Sequence, residues 1–163
     1  MRFGRLNMIK VSIGQDSHRF DTENSGKKLI LGGVHFEGPP LKGNSDSDVV
    51  LHALINAISG ITCVNILGEI ADKMCFIDGI TDSRAYLKEA LKYLNGSIIH
   101  ASFSIECVIP KISPMINEMR KSIASLLNID ESCIGITATT GEGLTDFGRG
   151  LGIQCLCILT VNA

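Results

Sequence analysis

The run MIKVSIGQDSHRF, residues 8–20, commits the start of this chain to an extended strand and then interrupts itself with chemistry. In a strand, side chains two residues apart share a face. Asp16 and His18 therefore project together from one side. An acid beside an imidazole is half of a metal site or half of an acid–base pair, and the rest of the chain has to supply the partner.

Further on, KKLILGGVHFEG reads as two short extended pieces broken at Gly32-Gly33, and EGPPLKGNSDS as a loop. SDVVLHALINAISGI turns helical, with Val50, Leu54, Ala57 and Ile61 as its apolar stripe and Ser45 with Asp48 as a capping pair. TCVNILGEIADKMCFIDGIT reads as mixed helix ends and loop. DSRAYLKEALKYLNG is a second amphipathic helix, capped by Asp82 or Ser83 and stopped near Gly96. A strand in SIIHASFSIECVI, a helix opened by Ser113-Pro114, a strand in CIGITATT, a glycine-rich loop GEGLTDFGRG and a last strand LGIQCLCILTV complete the pattern. The expected fold class is α+β, an α/β sandwich: a single mixed sheet with helices packed on one face. Residues 1–8 are expected to be a flexible N-terminal extension and 9–163 a single domain.

Composition sets outer limits. The chain has 163 residues, long enough for a real core, and a net charge of −2, so no polycationic signature points to nucleic acid. Its six cysteines, Cys63, Cys75, Cys107, Cys133, Cys155 and Cys157, form no CxxC pair and read as buried thiols of a reducing compartment. No secretory signal and no run of about 18 apolar residues is present, so no membrane is expected and the compartment is expected to be the cytoplasm.

Three stretches could carry chemistry. His52 lies off the apolar stripe of its helix, with Asp48 at i−4 and Asn56 at i+4. Together with Asp16 and His18 it would offer one carboxylate and two imidazoles, a set that suits zinc with an open coordination position. The plainer reading is a solvated helical histidine and an aspartate capping a turn, because D-x-H arises readily by chance. TATTGEGLTDFGRG offers the Thr139 and Thr140 hydroxyls, the Glu142 carboxylate and the Arg149 guanidinium, parts for holding phosphates and a divalent cation, or simply a flexible turn. It fits neither the P-loop nor the dinucleotide spacing. In CVIPKISP a strand ends on Pro110-Lys111, where backbone groups could read a flat base edge or merely connect two elements.

Taken in order, GQDSHRF, LILGGV, NSDSDVVLHALINAISG, ITDSRAYL, PKISPMINEMR and ITATTGEGL…GRGLGI resemble the 2-C-methyl-D-erythritol 2,4-cyclodiphosphate synthase family from about Met8 to the C-terminus. The resemblance implies a lyase of non-mevalonate isoprenoid biosynthesis. It would cyclise 4-diphosphocytidyl-2-C-methyl-D-erythritol 2-phosphate, the 2-phosphate attacking the β-phosphorus and expelling CMP. It further implies zinc on Asp16, His18 and His52, and Mg²⁺ or Mn²⁺ on Glu142 with the substrate diphosphate. Asn44 and Thr140 would take part in the catalytic contacts. Substrate would also meet Asp16, Ser17, His18, Ser45, Glu69, Ile70, Ala71, Thr139, Gly141, Glu142 and Arg149. The cytosine pocket would be lined by Cys107, Val108, Ile109, Pro110, Lys111, Ile112 and Ser113. The assembly implied is a homotrimer with its sites between subunits.

Departures from the family pattern are Asn44 in place of a histidine, Gly143 in place of a lysine, Asn56 in place of an aspartate, Leu151 in place of an acid and Asp146 in place of an aromatic. The text between Asp72 and Asp78 does not match the family's, so no pocket residue is assigned there. GQDSH with NSD and TGEG is similar to the family's divergent chlamydial branch. Competing readings are a non-catalytic trimer that senses an isoprenoid diphosphate or nucleotide, and a metal-dependent phosphohydrolase.

Overall fold

The computed structural model describes residues 8–23 and 25–163. The expectation for the N-terminal extension falls, for residues 1–7, outside the described residues. The elements are β1 (Ile9–Arg19), β2 (Leu29–Leu31), β3 (Val34–Phe36), α1 (Val49–Thr62), α2 (Glu69–Phe76), α3 (Ser83–Leu91), β4 (Ser97–Glu106), α4 (Ile116–Leu127), β5 (Ile134–Thr139) and β6 (Gly152–Asn162).

Four strands form the main sheet in the order β1-β6-β4-β5, with β4 and β5 parallel and the other pairs antiparallel. The sheet is therefore mixed, with α4 in the crossover between its parallel pair. The β2–β3 hairpin does not join it but pairs with itself as a second, two-stranded sheet. Three residues per strand, bent at Gly32-Gly33, are too few to extend a sheet whose edge strand is eleven residues long. Its Leu29, Leu31 and Phe36 instead cover one end of the core.

One face of the main sheet carries the core. Ile153, Cys155, Cys157, Leu159 and Val161 of β6 alternate inward with Ala101, Phe103 and Ile105 of β4. Helix α1 lies on this face and is buried on nearly every side, from Val49 to Ile58. The opposite face is uncovered in the single chain: Val11, Ile13 and Ile158 are about half exposed or more.

The approach of α1 to β1 depends on Gly14. A Cβ there would stand 2.0 Å from the Ala53 carbonyl oxygen and 2.3 Å from the Ala57 nitrogen. Ser12 Oγ, two residues earlier on the same face, donates to the Ala57 carbonyl at 2.6 Å. The strand and helix backbones are thus nearly in contact, and the next inward side chains along β1 are Asp16 and His18.

Several local expectations change. The cap of α1 is Asp48 itself, not a Ser45–Asp48 box: its carboxylate accepts from the Val50 and Leu51 amides at 3.1 Å each, and from those of Gly32 and Gly33 at 2.8 and 2.6 Å. Burial pushes the Asp48 carboxyl up to about 6, against the amides of Gly33, Leu51 and Gly32. A complete helix, α2, occupies the stretch read as mixed helix ends and loop. Of the six thiols, Cys107, Cys155 and Cys157 are buried, Cys75 and Cys133 half-buried, and Cys63 exposed; all are free.

Candidate active site

Strand β1 and helix α1 bring three ligand atoms together. Asp16 Oδ2 lies 2.9 Å from His18 Nε2 and 3.0 Å from His52 Nδ1, and the two ring nitrogens are 3.4 Å apart. A tetrahedral ion with bonds of about 2.0–2.1 Å has ligand–ligand edges of about 3.3 Å, so this triangle matches one face of such a site. His52 is not on a solvated face, as its wheel position suggests: it is 7% exposed, roofed by Ser83 and Tyr86 of α3.

The outer partners of the two imidazoles decide which nitrogens carry hydrogen. His18 Nδ1 is 2.9 Å from the Lys42 carbonyl, which can only accept, so that nitrogen holds the proton and Nε2 a lone pair. His52 Nε2 is 2.8 Å from Ser83 Oγ, and the Ser83 hydroxyl in turn is in close contact with an Asp46 carboxylate oxygen. The hydroxyl's single hydrogen goes to the carboxylate, so Ser83 Oγ accepts from His52 Nε2–H and leaves Nδ1 as a lone pair. Three lone-pair atoms then face one point. Protons on the imidazoles could separate them, but a single divalent cation satisfies all three at once. In the metal-free chain burial opposes charge on both groups, yet the imidazoles hold the Asp16 carboxyl down to about 2, while Asp16 raises His18 above its ordinary value.

The three atoms open into a cavity of about 450 Å³ lined also by Asn44, Ser45, Asn56, Leu67, Gly68, Ala71, Asp72, Cys75 and Tyr86. Of the expected substrate residues, Asn44, Ser45 and Ala71 thus line the same cavity as the triad. Glu69 and Ile70 do not line this cavity: Glu69 is exposed, and Ile70 packs toward the core. Leu67, Gly68, Asp72, Cys75 and Tyr86 are additions. For the four in or beside α2 the sequence signal was weak, since that helix has no apolar stripe longer than two turns.

The second group of expected residues gathers elsewhere. The Cys107 amide donates to the Thr139 carbonyl at 3.1 Å, joining 107–113 to the loop after β5. Gly141, at φ 70, lies where a Cβ would strike the Glu106 carboxylate at 2.1 Å, and Glu142 follows with φ 52. Lys111, Ser113, Thr139 and Thr140 are exposed, and Arg149 pairs with Asp146 at 3.2 Å. Ile112 and Cys107 are buried, so only their backbones are offered; burial pushes the Cys107 thiol up to about 11.

The two groups lie at the same end of the sheet on opposite edges. Ser17, Gln154, Glu106 and Thr139 form one row across it. Three strand spacings separate its ends, about 14 Å. Within one chain the metal triad and the second group are thus apart.

With this geometry in place, comparison with known proteins gives the class. The profile of the YgbB family matches residues 9–162, and the chain belongs to that family. A curated relative from Chlamydia abortus, 2-C-methyl-D-erythritol 2,4-cyclodiphosphate synthase, is 55% identical over 94% of this chain and 89% of its own length. The synthase of Chlamydia trachomatis serovar D is 48% identical, covering 94% and 88%. Among solved structures, IspF of Plasmodium falciparum in complex with CDP superposes with a TM-score of 0.81 at 27% identity, covering 96% of this chain and 97% of that one. The bifunctional IspDF of Campylobacter jejuni gives 0.85 at 29% identity; this chain covers 42% of it.

Proposed function

We infer that this chain is a 2-C-methyl-D-erythritol 2,4-cyclodiphosphate synthase, converting 4-diphosphocytidyl-2-C-methyl-D-erythritol 2-phosphate to the cyclic diphosphate and CMP. The observation that carries the reading is the convergence of Asp16, His18 and His52 on one point of a cavity, in a chain 55% identical to a curated synthase. An oxygen of the 2-phosphate forms a bond to the β-phosphorus. The bond from that phosphorus to the bridging oxygen breaks, and the oxygen leaves with CMP.

Zinc on the triad and Mg²⁺ or Mn²⁺ on Glu142 would supply Lewis-acid polarisation and neutralise the crowded phosphates. The protein's task is placement. Asp16, His18 and His52 set one end of the phosphates. Asn44, Ser45 and Thr140 offer hydrogen-bond donors, and Arg149 a guanidinium. Residues 107–113 would take the cytosine through backbone groups. Phosphoryl transfer needs in-line positioning more than covalent help, and this set of groups suits it.

The assembly proposed is a homotrimer. Support comes from the uncovered apolar sheet face and from the two half-sites about three strand spacings apart, each able to be completed by a neighbour. Residues 9–163 act as one domain in this reading, with the cytoplasm as its compartment; no described helix is long and apolar enough to cross a membrane.

The test is phosphorus NMR of the product formed by purified protein with Zn²⁺ and Mg²⁺, with a metal assay on the same sample. Cyclic diphosphate and CMP are expected. A linear product would make the protein a phosphohydrolase, and substrate binding without CMP release would make it a sensor.

A further inference from the structure

Between β3 and α1 four consecutive carbonyls each accept from a side chain. The Lys42 oxygen takes His18 Nδ1 at 2.9 Å, the Gly43 oxygen takes Lys27 Nζ, the Asn44 oxygen takes Cys75 Sγ at 3.4 Å, and the Ser45 oxygen takes Lys27 Nζ at 2.8 Å. No strand or helix organises residues 42–47, so these donors are what shape the segment. Lys27 reaches both carbonyls that flank Asn44, and the Ser45 oxygen also accepts from Ser47 Oγ at 3.5 Å.

The consequence falls on the amides. In a trans peptide the N–H points opposite to the carbonyl of the preceding residue. With the Gly43 oxygen turned to the ammonium, the Asn44 N–H is turned away from it. Among the described residues, neither the Asn44 nor the Ser45 amide has an acceptor. Both residues line the cavity of the metal triad, whose lining includes Asp16 and Asp72 and neither lysine nor arginine. Lys27 stands just behind that wall, in an adjoining cavity of about 290 Å³ that shares Asn44 and Ser45.

We propose that Lys27 is a positioning residue for the cyclisation: by pinning the carbonyls on either side of Asn44 it holds the free amide of Asn44 ready for a substrate phosphate. An ammonium on a carbonyl also polarises the peptide, which makes the N–H at its other end a stronger donor to an anion. His18 is held by the Lys42 carbonyl, one residue before the pair that Lys27 takes, so the metal ligand has its own support. The inference rests on the synthase reading of this cavity.

The experiment compares wild type, K27M and K27R with saturating Zn²⁺ and Mg²⁺, following CMP release. Wild-type protein that releases no CMP would speak against the synthase reading itself. With active wild type, K27M is expected to raise the KM for the cytidyl substrate by about tenfold or more, the loss expected for hydrogen bonds from a charged donor. Zinc content and melting temperature should stay at wild-type values, and K27R, which keeps charge and donors, should recover most of the loss. A K27M enzyme with KM within about twofold of wild type overturns the proposal, as does K27M that loses its zinc. Should K27M not fold, K27Q is judged by the same criteria.

Discussion

His52 Nε2 lies 2.8 Å from Ser83 Oγ, and this contact, backed by Asp46, selects the imidazole nitrogen that is left for a metal. Asp46 also accepts from the Ser83 amide at 3.0 Å, so α3 begins by locking the support of a ligand on α1. Removing the hydroxyl in S83A frees His52 to adopt the other tautomer. Zinc affinity should fall by about 10–100-fold, measured by competition with a chromophoric chelator, with S83T restoring it. Unchanged affinity in S83A would mean that the cavity wall alone orients the ring.

Gly14 sets the distance between the strand that carries Asp16 and the helix that carries His52. G14A should push α1 away from β1, costing about 1–3 kcal/mol from overpacking. Both the melting temperature and zinc retention should drop, because the ligand triangle opens. Since no titrating or ligating atom is changed, zinc loss in G14A reads helix placement directly. Full zinc occupancy in a stable G14A protein would separate the close packing from the site.

The pH dependence of metal binding follows from the signs of the two shifts. Asp16 is held down to about 2, so in the metal-free chain its contribution to stability is present above the ordinary carboxylate range and is lost as pH falls toward 2. His18 is raised, so its contribution is present below the ordinary imidazole value and fades as pH rises through the raised one. Zinc competes with that His18 proton. Its affinity should rise with pH between about 6 and 8, with proton release seen by calorimetry in buffers of different ionisation enthalpy. A flat affinity over that range would contradict the ligand assignment.

Glu142 follows β5 on the far edge of the sheet, about three strand spacings from Asp16 within one chain. E142Q should therefore leave zinc content unchanged while raising the Mg²⁺ concentration needed for half-maximal CMP release by about tenfold or more. If sites form between subunits, mixing E142Q, at a Mg²⁺ concentration too low to support it, with inactive H52A protein should restore partial activity through mixed trimers. No complementation in trimers shown to have exchanged would place each site within a single chain.

Strand and helix periodicity made most elements legible: Asp16 and His18 share a face because a strand repeats every two residues, and α3 and α4 show their stripes and caps in the text. Helix α2 was not legible, because EIADKMCF is too short and too polar for its pattern to outweigh a loop. The cavity residues Leu67 and Cys75 were hidden for the same reason, and Tyr86 because a helix pattern does not show which element its buried face meets. His52 was misjudged in environment, since a wheel shows which side chains share a face but not that α3 covers the face opposite the sheet.

By itself, then, the order of residues determined which side chains could cooperate locally: the D-x-H pair, the glycines that allow close approach, the loop rich in donors. Only tertiary structure decided that Ser83 and Asp46 would stand behind His52, that Lys27 would reach the carbonyls beside Asn44, and that the metal triad and the Thr139–Glu142 loop would sit at opposite sheet edges. Local periodicity is a property of neighbouring residues, whereas these relations depend on packing between segments tens of residues apart, where each contact is set by the shape of the whole core.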